Sequence, residues 1–307
     1  MELIFLKPYM KEVVWGGTRI QKEYGYMSNS DHIGEAWLVS ANENGLSKVI
    51  NGKYKGLSLK ELWDKHREIF GEELKGVFPL LIKYIDAKDN LSIQVHPNDD
   101  YARVVEQQPN GKAESWYILD CDKDSDILIG HNAKNKEEFK KYIDNKEWDK
   151  LLRIKKIKKG DFFNIPAGTV HAIRKGTLIL ETQQNSDITY RLYDYDRLQQ
   201  NGKKRELHIK KSIDVVTCPY DKSKVEIKPI VKGDKIEYIN NEKFSITKYI
   251  VKNELNIEFE KFYIICVIEG KGSINDIEIA KGTNFIVPKS FGRIKIKGEM
   301  ELMLIHN

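Results

Sequence analysis

The stretch GDFFNIPAGTVHAI, Gly160 to Ile173, sets a single imidazole at the end of a run of small and apolar residues. Gly160 opens a strand after a lysine-rich turn, Pro166 ends it, and Gly168 permits the tight turn before His171 begins the next strand. Taken alone, His171 reads most simply as a core ring satisfied by a backbone carbonyl. Residues upstream change that reading. In LSIQVHP, Gln94 and His96 stand two apart, so both side chains leave the same face of a strand. Glu114 opens the following strand, ESWYIL. Two strand-borne histidines, a carboxylate and an amide could then converge inside a barrel on one divalent cation.

The chain has 307 residues, enough for one large domain or two modest ones. Its 51 basic and 46 acidic side chains leave a net charge of +5, too small an excess to argue nucleic acid and compatible with an anionic small substrate. RIKKIKK (Arg153–Lys159) interleaves apolar residues with its lysines, as a solvated approach to a strand does. Cys121, Cys218 and Cys266 lie far apart with no CxxC pair, which excludes a disulfide framework and suits a reducing cytoplasm. No signal-peptide pattern opens the chain, and the longest apolar run, FYIICVI (Phe262–Ile268), is about a third of a membrane span.

Most of the sequence reads as short strands broken by Gly, Asn, Asp and Pro, a mainly β pattern. Helices interrupt it. SLKELWDKHREIF has a capping box, Ser58 with Glu61, and NKEEFKKYIDNKEWDKLL has Asn135 as its N-cap. A short turn is expected at NDDYARVVEQ and a further helix at ELHIKKSIDVV. From about residue 225 onward the pattern is almost purely β. The chain is therefore expected to divide into residues 1–225, carrying the candidate site, and residues 226–307.

The spacing Gly160-x5-Pro166-x-Gly168-x2-His171 resembles the second motif of cupin barrels, and Gln94-x-His96 with Glu114 resembles a diverged first motif. LIKYIDAKDNLSIQVHP, GKAESWYIL, IPAGTVHAI and QQNSDITYRLYDYDR span residues 81–197, and GEAWLVS lies upstream. Together these blocks resemble the class I mannose-6-phosphate isomerases in their shorter bacterial form. The resemblance implies two cupin (jelly-roll) barrels with helical insertions, a phosphorylated hexose as substrate, and proton transfer between C1 and C2 through an enediol. It implies that Gln94, His96, Glu114 and His171 bind one Zn²⁺, that Arg191 and Lys112 act in catalysis, and that Lys83 lines the cleft. Asp187 matches an acidic residue suited to ring opening or proton traffic. In one place the chain departs from the pattern: longer members carry a histidine immediately before the lysine, where this chain has Gly111.

Each of these residues also has a plainer reading. Lys112 follows an Asn-Gly turn, where solvated lysines are common; Lys83 would suit an edge strand; Arg191 would find a structural partner in Asp187, Asp194 or Asp196. His32, His66, His131, His208 and His306 have no comparable frame. Two other functions use the same donors: an Fe²⁺ oxygenase, since two histidines and a carboxylate also hold iron, and a non-catalytic sugar-phosphate-binding protein. Near the C-terminus, KGTNFIVPKSFGRIKI repeats the frame with Gly282 and Pro288, but Ser290 replaces the turn glycine and Arg293 the histidine. Lys261 stands where the glutamate would be. The second unit is expected to be a degenerate cupin without a metal site.

Overall fold

The strands Leu80–Ala87 and Thr177–Gln184 are buried along their whole length. Such strands lie between two layers, and alternate side chains serve different cores. Leu80, Ile82 and Tyr84 pack with Ile264 and Met303 from the C-terminal part of the chain, whereas Ile85 and Ala87 pack with Ile127 and Ile173. The structure, a computed structural model, describes residues 2–199 and 202–307.

Two antiparallel sheets face each other across that second core. One has six strands in the order Phe162–Ile165, Glu114–Cys121, Thr177–Gln184, Leu80–Ala87, Tyr9–Gly17 and Ile33–Val39. The other has five, in the order Leu152–Lys156, Asp126–His131, His171–Ile173, Ile93–Val95 and Tyr190–Tyr193. Trp116, Phe163 and Ile179 of the first meet Ile127, Ile129 and Ile173 of the second. The outer face of the five-stranded sheet is covered by helices, whose Phe139, Ile143 and Leu151 pack on Leu128, Ala172 and Leu192. The candidate site lies between the sheets.

A ten-stranded antiparallel sheet carries the C-terminal part. Its alternation is equally strict: Ile264, Cys266, Met303 and Ile305 face the six-stranded sheet, and Ile265, Val267, Leu302 and Leu304 form a separate interior. The N-terminal strand Ile4–Lys7 joins this sheet, with Ile4 opposite Ile286 and Phe5 opposite Phe285. The architecture is mainly β with jelly-roll sheets, as the turn-punctuated strand pattern predicts.

The helical signals hold with local differences. Ser58 and Glu61 form the capping box of a helix over Leu59–Lys65, and Asn135 caps Lys136–Asp144. The expected helix 135–152 is broken, because Lys146 takes a left-handed conformation (φ 57°), and a second short helix follows over Trp148–Leu151. The expected turn at 98–107 is a helix over Asp99–Val105 capped by Asn98. The sequence reading missed a six-residue helix, Arg19–Tyr24.

The internal echo is present in the backbone. Gly160 and Gly282 have φ of 90° and 91°, and Gly168 at 85° is matched by Ser290 at 55°. His171 is buried at the start of its strand, whereas Arg293 is exposed. The same turn therefore forms with or without an inward imidazole.

A Cβ on Gly168 would lie 2.4 Å from Thr217 Oγ1 and 2.8 Å from the Val215 carbonyl oxygen, in a conformation that disfavours side chains. Gly168→Ala is expected to lower unfolding free energy by roughly 1–3 kcal/mol in urea titration. Ser290→Gly, where no Cβ clash is relieved, should shift it by less than about 1 kcal/mol.

Candidate active site

His171 starts one strand of the five-stranded sheet and is in register with Gln94 on the next, and Gln94 is in turn in register with Arg191. His96 follows directly after the Gln94 strand. Glu114 opens a strand of the opposing sheet, between Gln183 and Ile165. The turn at Gly168 brings these segments together: its N–H donates to the His96 carbonyl at 2.8 Å.

Each imidazole is oriented by a backbone carbonyl. His96 Nδ1 lies 2.8 Å from the Ile188 oxygen, and His171 Nδ1 lies 2.8 Å from the Thr169 oxygen. A carbonyl only accepts, so Nδ1 carries the proton and Nε2 presents a lone pair. His96 Nε2 is 3.3 Å from Glu114 Oε1, and His171 Nε2 is 3.4 Å from Oε2. All three side chains are buried. Lys112 Nζ lies 2.6 Å from Glu114 Oε1 and 3.2 Å from His96 Nε2, yet neither carboxylate oxygen accepts a hydrogen bond of normal direction.

Such an arrangement is costly for a protein interior, since buried polar groups are otherwise paired. Neutral rings facing an ionised carboxylate put acceptor against acceptor. The ligand atoms of His96, Glu114 and His171 lie within 4.8 Å of one another, and the Gln94 amide nitrogen, a donor, is 3.4 Å from His171 Nε2. The set fits a divalent cation of the zinc type. Its protonation is the ligand form. Burial and the Lys112 charge push the His96 pKa down to about 3, and burial lowers that of His171. Burial alone would raise the Glu114 carboxyl, but Lys112 and His96 hold it well below the usual range.

A cross-strand row lies beside this cluster. Trp116, Glu181, Lys83 and Trp37 are in register across four strands. Lys83 Nζ is 3.3 Å from Glu181 and 3.6 Å from Glu35. Trp116 Nε1 donates to Glu181 at 3.0 Å, and Trp37 Nε1 to Glu35 at 2.6 Å. Lys83 is thus buried in a sheet interior, not on an edge. Burial works against its charge, but Glu35 and Glu181 outweigh that and raise its pKa. Burial and the nearby Glu114 charge raise that of Glu181.

A cleft of about 330 Å³ opens onto these groups, and Gln94, Lys83, Lys112, Glu35, Glu181, Asp187, Arg191 and Arg205 line it. Asp187 lies at its exposed mouth and accepts a hydrogen bond from Asn44 Nδ2. Arg191 is half-buried, and the carboxylates that would neutralise it are committed elsewhere. Asp194 is held by Arg197 and Arg205, and Asp196 by Lys204. Among the described residues the Arg191 guanidinium has no ion pair, and its Nε is buried without an acceptor. Burial and the Arg205 charge lower its pKa. An unpaired guanidinium facing a cleft is an anion site.

The structure thus gathers Gln94, His96, Glu114, His171, Lys112, Lys83 and Arg191 around one cleft and leaves Asp187 on its rim. Sequence reasoning passed over Glu35, Glu181 and Arg205. The signal for the first two was present: a carboxylate two residues from Trp37 on one face, and one alternating with Ile179 inside an apolar strand. Gly111 has a steric reason. A Cβ there would lie 2.4 Å from the Asn98 carbonyl carbon and 2.5 Å from the Pro97 oxygen, so this loop holds no side chain at that position.

Residues 3–142 match the model of the type I phosphomannose isomerase catalytic domain, and residues 234–307 match that of the mannose-6-phosphate isomerase cupin domain. The mannose-6-phosphate isomerase ManA of Bacillus subtilis is 46% identical over 99% of both chains. The chain belongs to the type I phosphomannose isomerase family. A mannose-6-phosphate isomerase of Streptococcus mutans is 40% identical over 100% of this chain and 98% of its own. The crystal structure of a mannose 6-phosphate isomerase from Bacillus subtilis superimposes with a TM-score of 0.96 at 42% identity, covering 100% of both chains.

Both rings stay neutral in the folded chain, whereas in the unfolded chain they take up a proton near pH 6.5. Protons then favour unfolding, so the metal-free protein loses stability as pH falls below 6.5, and for His96 the loss continues to about 3. Urea midpoints of chelator-treated protein should fall between about pH 7.5 and about pH 5, and fall less steeply in His96→Gln.

Proposed function

We propose that the chain interconverts mannose 6-phosphate and fructose 6-phosphate, with one Zn²⁺ held by His96, Glu114 and His171 and by the amide oxygen of Gln94. The observation that carries this reading is the buried Glu114 carboxylate, ion-paired with Lys112 but without a well-directed hydrogen bond, between the inward Nε2 atoms of two imidazoles. A divalent ion bound there supplies a Lewis acid to the sugar oxygens on which charge builds as the proton moves between C1 and C2.

The chain's own residues do the rest. The carbonyls of Ile188 and Thr169 fix the two rings so that their Nε2 atoms point inward. Lys112, against Glu114 and His96, is a fixed cation at the floor of the cleft, where it stabilises negative charge on the enediol oxygens. Arg191 offers an unpaired guanidinium from the adjacent strand and complements the same charge. Lys83, held charged between Glu35 and Glu181, completes the wall. Asp187 at the mouth is placed to exchange protons with the sugar hydroxyls during ring opening. Arg205, fixed by Asp194, and Lys11 add positive charge to the rim where a phosphate dianion enters. Gly111 removes the neighbouring histidine of longer members from any role in this chain.

We assign residues 1–225 to a catalytic unit and 226–307 to a degenerate cupin without a metal site, tied together by the N-terminal strand. Among the described residues no helix is long and apolar enough to cross a membrane. The three free, separated cysteines fit the reducing cytoplasm.

His171→Ala is expected to lose bound zinc and activity together, measured by elemental analysis and a coupled fructose 6-phosphate assay. Arg191→Ala should keep its zinc and lose turnover by roughly 10²-fold or more. Full zinc and full activity in His171→Ala would sink the assignment. Turnover should persist without O₂, unlike that of an iron oxygenase on the same donors.

A further inference from the structure

Lys112 sits on a loop, yet its backbone is held at three consecutive amides. The Gly111 N–H donates to Asp99 Oδ1 at 2.8 Å, the Lys112 N–H to the Pro97 oxygen at 2.9 Å, and the Ala113 N–H to Gln184 Oε1 at 3.0 Å. Gln184 Nε2 closes the ring by donating to the same Asp99 Oδ1 at 2.9 Å, and its own N–H donates to the Ala113 oxygen at 3.1 Å. Asp99 and Gln184 together grip both neighbours of Lys112.

The other oxygen of Asp99 is held from the opposite half of the molecule. Lys243 Nζ lies 2.8 Å from Asp99 Oδ2. Lys243 is at the tip of a hairpin in the ten-stranded sheet, between the strands Lys235–Asn240 and Ser245–Val251. That tip is rigid before it meets Asp99: Asn241 Oδ1 accepts the N–H groups of Lys243 at 2.8 Å and Phe244 at 3.0 Å. The Phe244 ring is fully buried in the core shared by the two halves. Burial works against the Asp99 charge, but hydrogen bonds from Lys243, Gln184 and Gly111 keep its pKa low. Glu242, 3.7 Å from Lys243, is the other carboxylate facing that ammonium.

From this chain of contacts we infer that the C-terminal unit sets the position of Lys112, through Lys243 and Asp99. Asp99 and Lys243 are positioning residues; neither lines the cleft. The close approach that excludes a side chain at Gly111 is part of the same device, since the Cβ would strike Pro97, Asn98 and the Asp99 amide. A loop pressed against 97–99 carries Lys112 to 2.6 Å from Glu114, and Asp99 clamps it there. The unit that lacks a metal site of its own thus takes part in catalysis at a distance.

The inference rests on the role proposed for Lys112, and the experiment separates the two. Steady-state kinetics of zinc-loaded Lys243→Met, Lys243→Arg, Asp99→Ala and the double variant Asp99→Ala/Lys243→Met are compared, with Lys112→Ala alongside. Because placement of a catalytic group governs kcat, Lys243→Met should lower kcat roughly three- to tenfold and Asp99→Ala roughly 30- to 100-fold. KM and zinc content should stay within about twofold of the parent in both. Lys243→Arg, which keeps the charge, should restore most of the loss. The double variant should be no worse than Asp99→Ala, as one shared path requires. Should Asp99→Ala fail to fold, the Lys243 pair decides, because that side chain is partly exposed and caps a formed hairpin. An unchanged kcat in Lys243→Met, a loss that the Arg variant does not rescue, or a loss explained by missing zinc would overturn the inference. If Lys112→Ala itself kept full turnover, the site reading would fail instead.

Discussion

The structure turns on a buried carboxylate with no proton to share. Glu114 lies between two imidazoles whose Nδ1 protons are committed to backbone carbonyls, so their Nε2 lone pairs turn toward it, with Lys112 Nζ beside one and the Gln94 amide nitrogen beside the other. Lys112 offsets part of the negative charge but gives neither carboxylate oxygen a well-directed hydrogen bond. In water such a cluster would rearrange. Here strand register fixes it: His171 opposite Gln94, Gln94 opposite Arg191, Glu114 beside Gln183. A site that cannot relax away from its own repulsion is a site for a cation.

The surrounding charges follow the same logic at longer range. Lys83 stays charged in the core because Glu35 and Glu181 flank it, and each of those carboxylates is braced by an indole N–H. Arg191 is the exception, a guanidinium whose neighbouring aspartates serve Arg197, Arg205 and Lys204. A half-buried guanidinium without an ion pair among the described residues marks where an anion is expected to come.

How much of this was legible in the sequence depended on how local the determinants are. The glycine–proline–glycine frame around His171 acts within a dozen residues, so spacing alone predicted the turn and the inward ring. Gln94 and His96 were readable because strand alternation places them together. Glu35 and Glu181 stood out only as carboxylates within apolar strands, and their role was not readable, because it comes from Lys83, which joins them through register. The bracing of Lys112 by Asp99, through Gln184 and Lys243, also depends on contacts distant in sequence. The echo in the second half supplies an internal control: Ser290 takes the left-handed turn of Gly168, while Arg293 points to solvent where His171 points to the site.

The central claim is that one cation occupies the space between His96, Glu114 and His171. Anomalous diffraction from crystals of active enzyme, recorded on either side of the zinc absorption edge, tests it most directly. The account predicts a single strong peak per chain, bonded to His96 Nε2, His171 Nε2 and a Glu114 oxygen. Fully active crystals with no peak there, or with their only peak elsewhere, would contradict it.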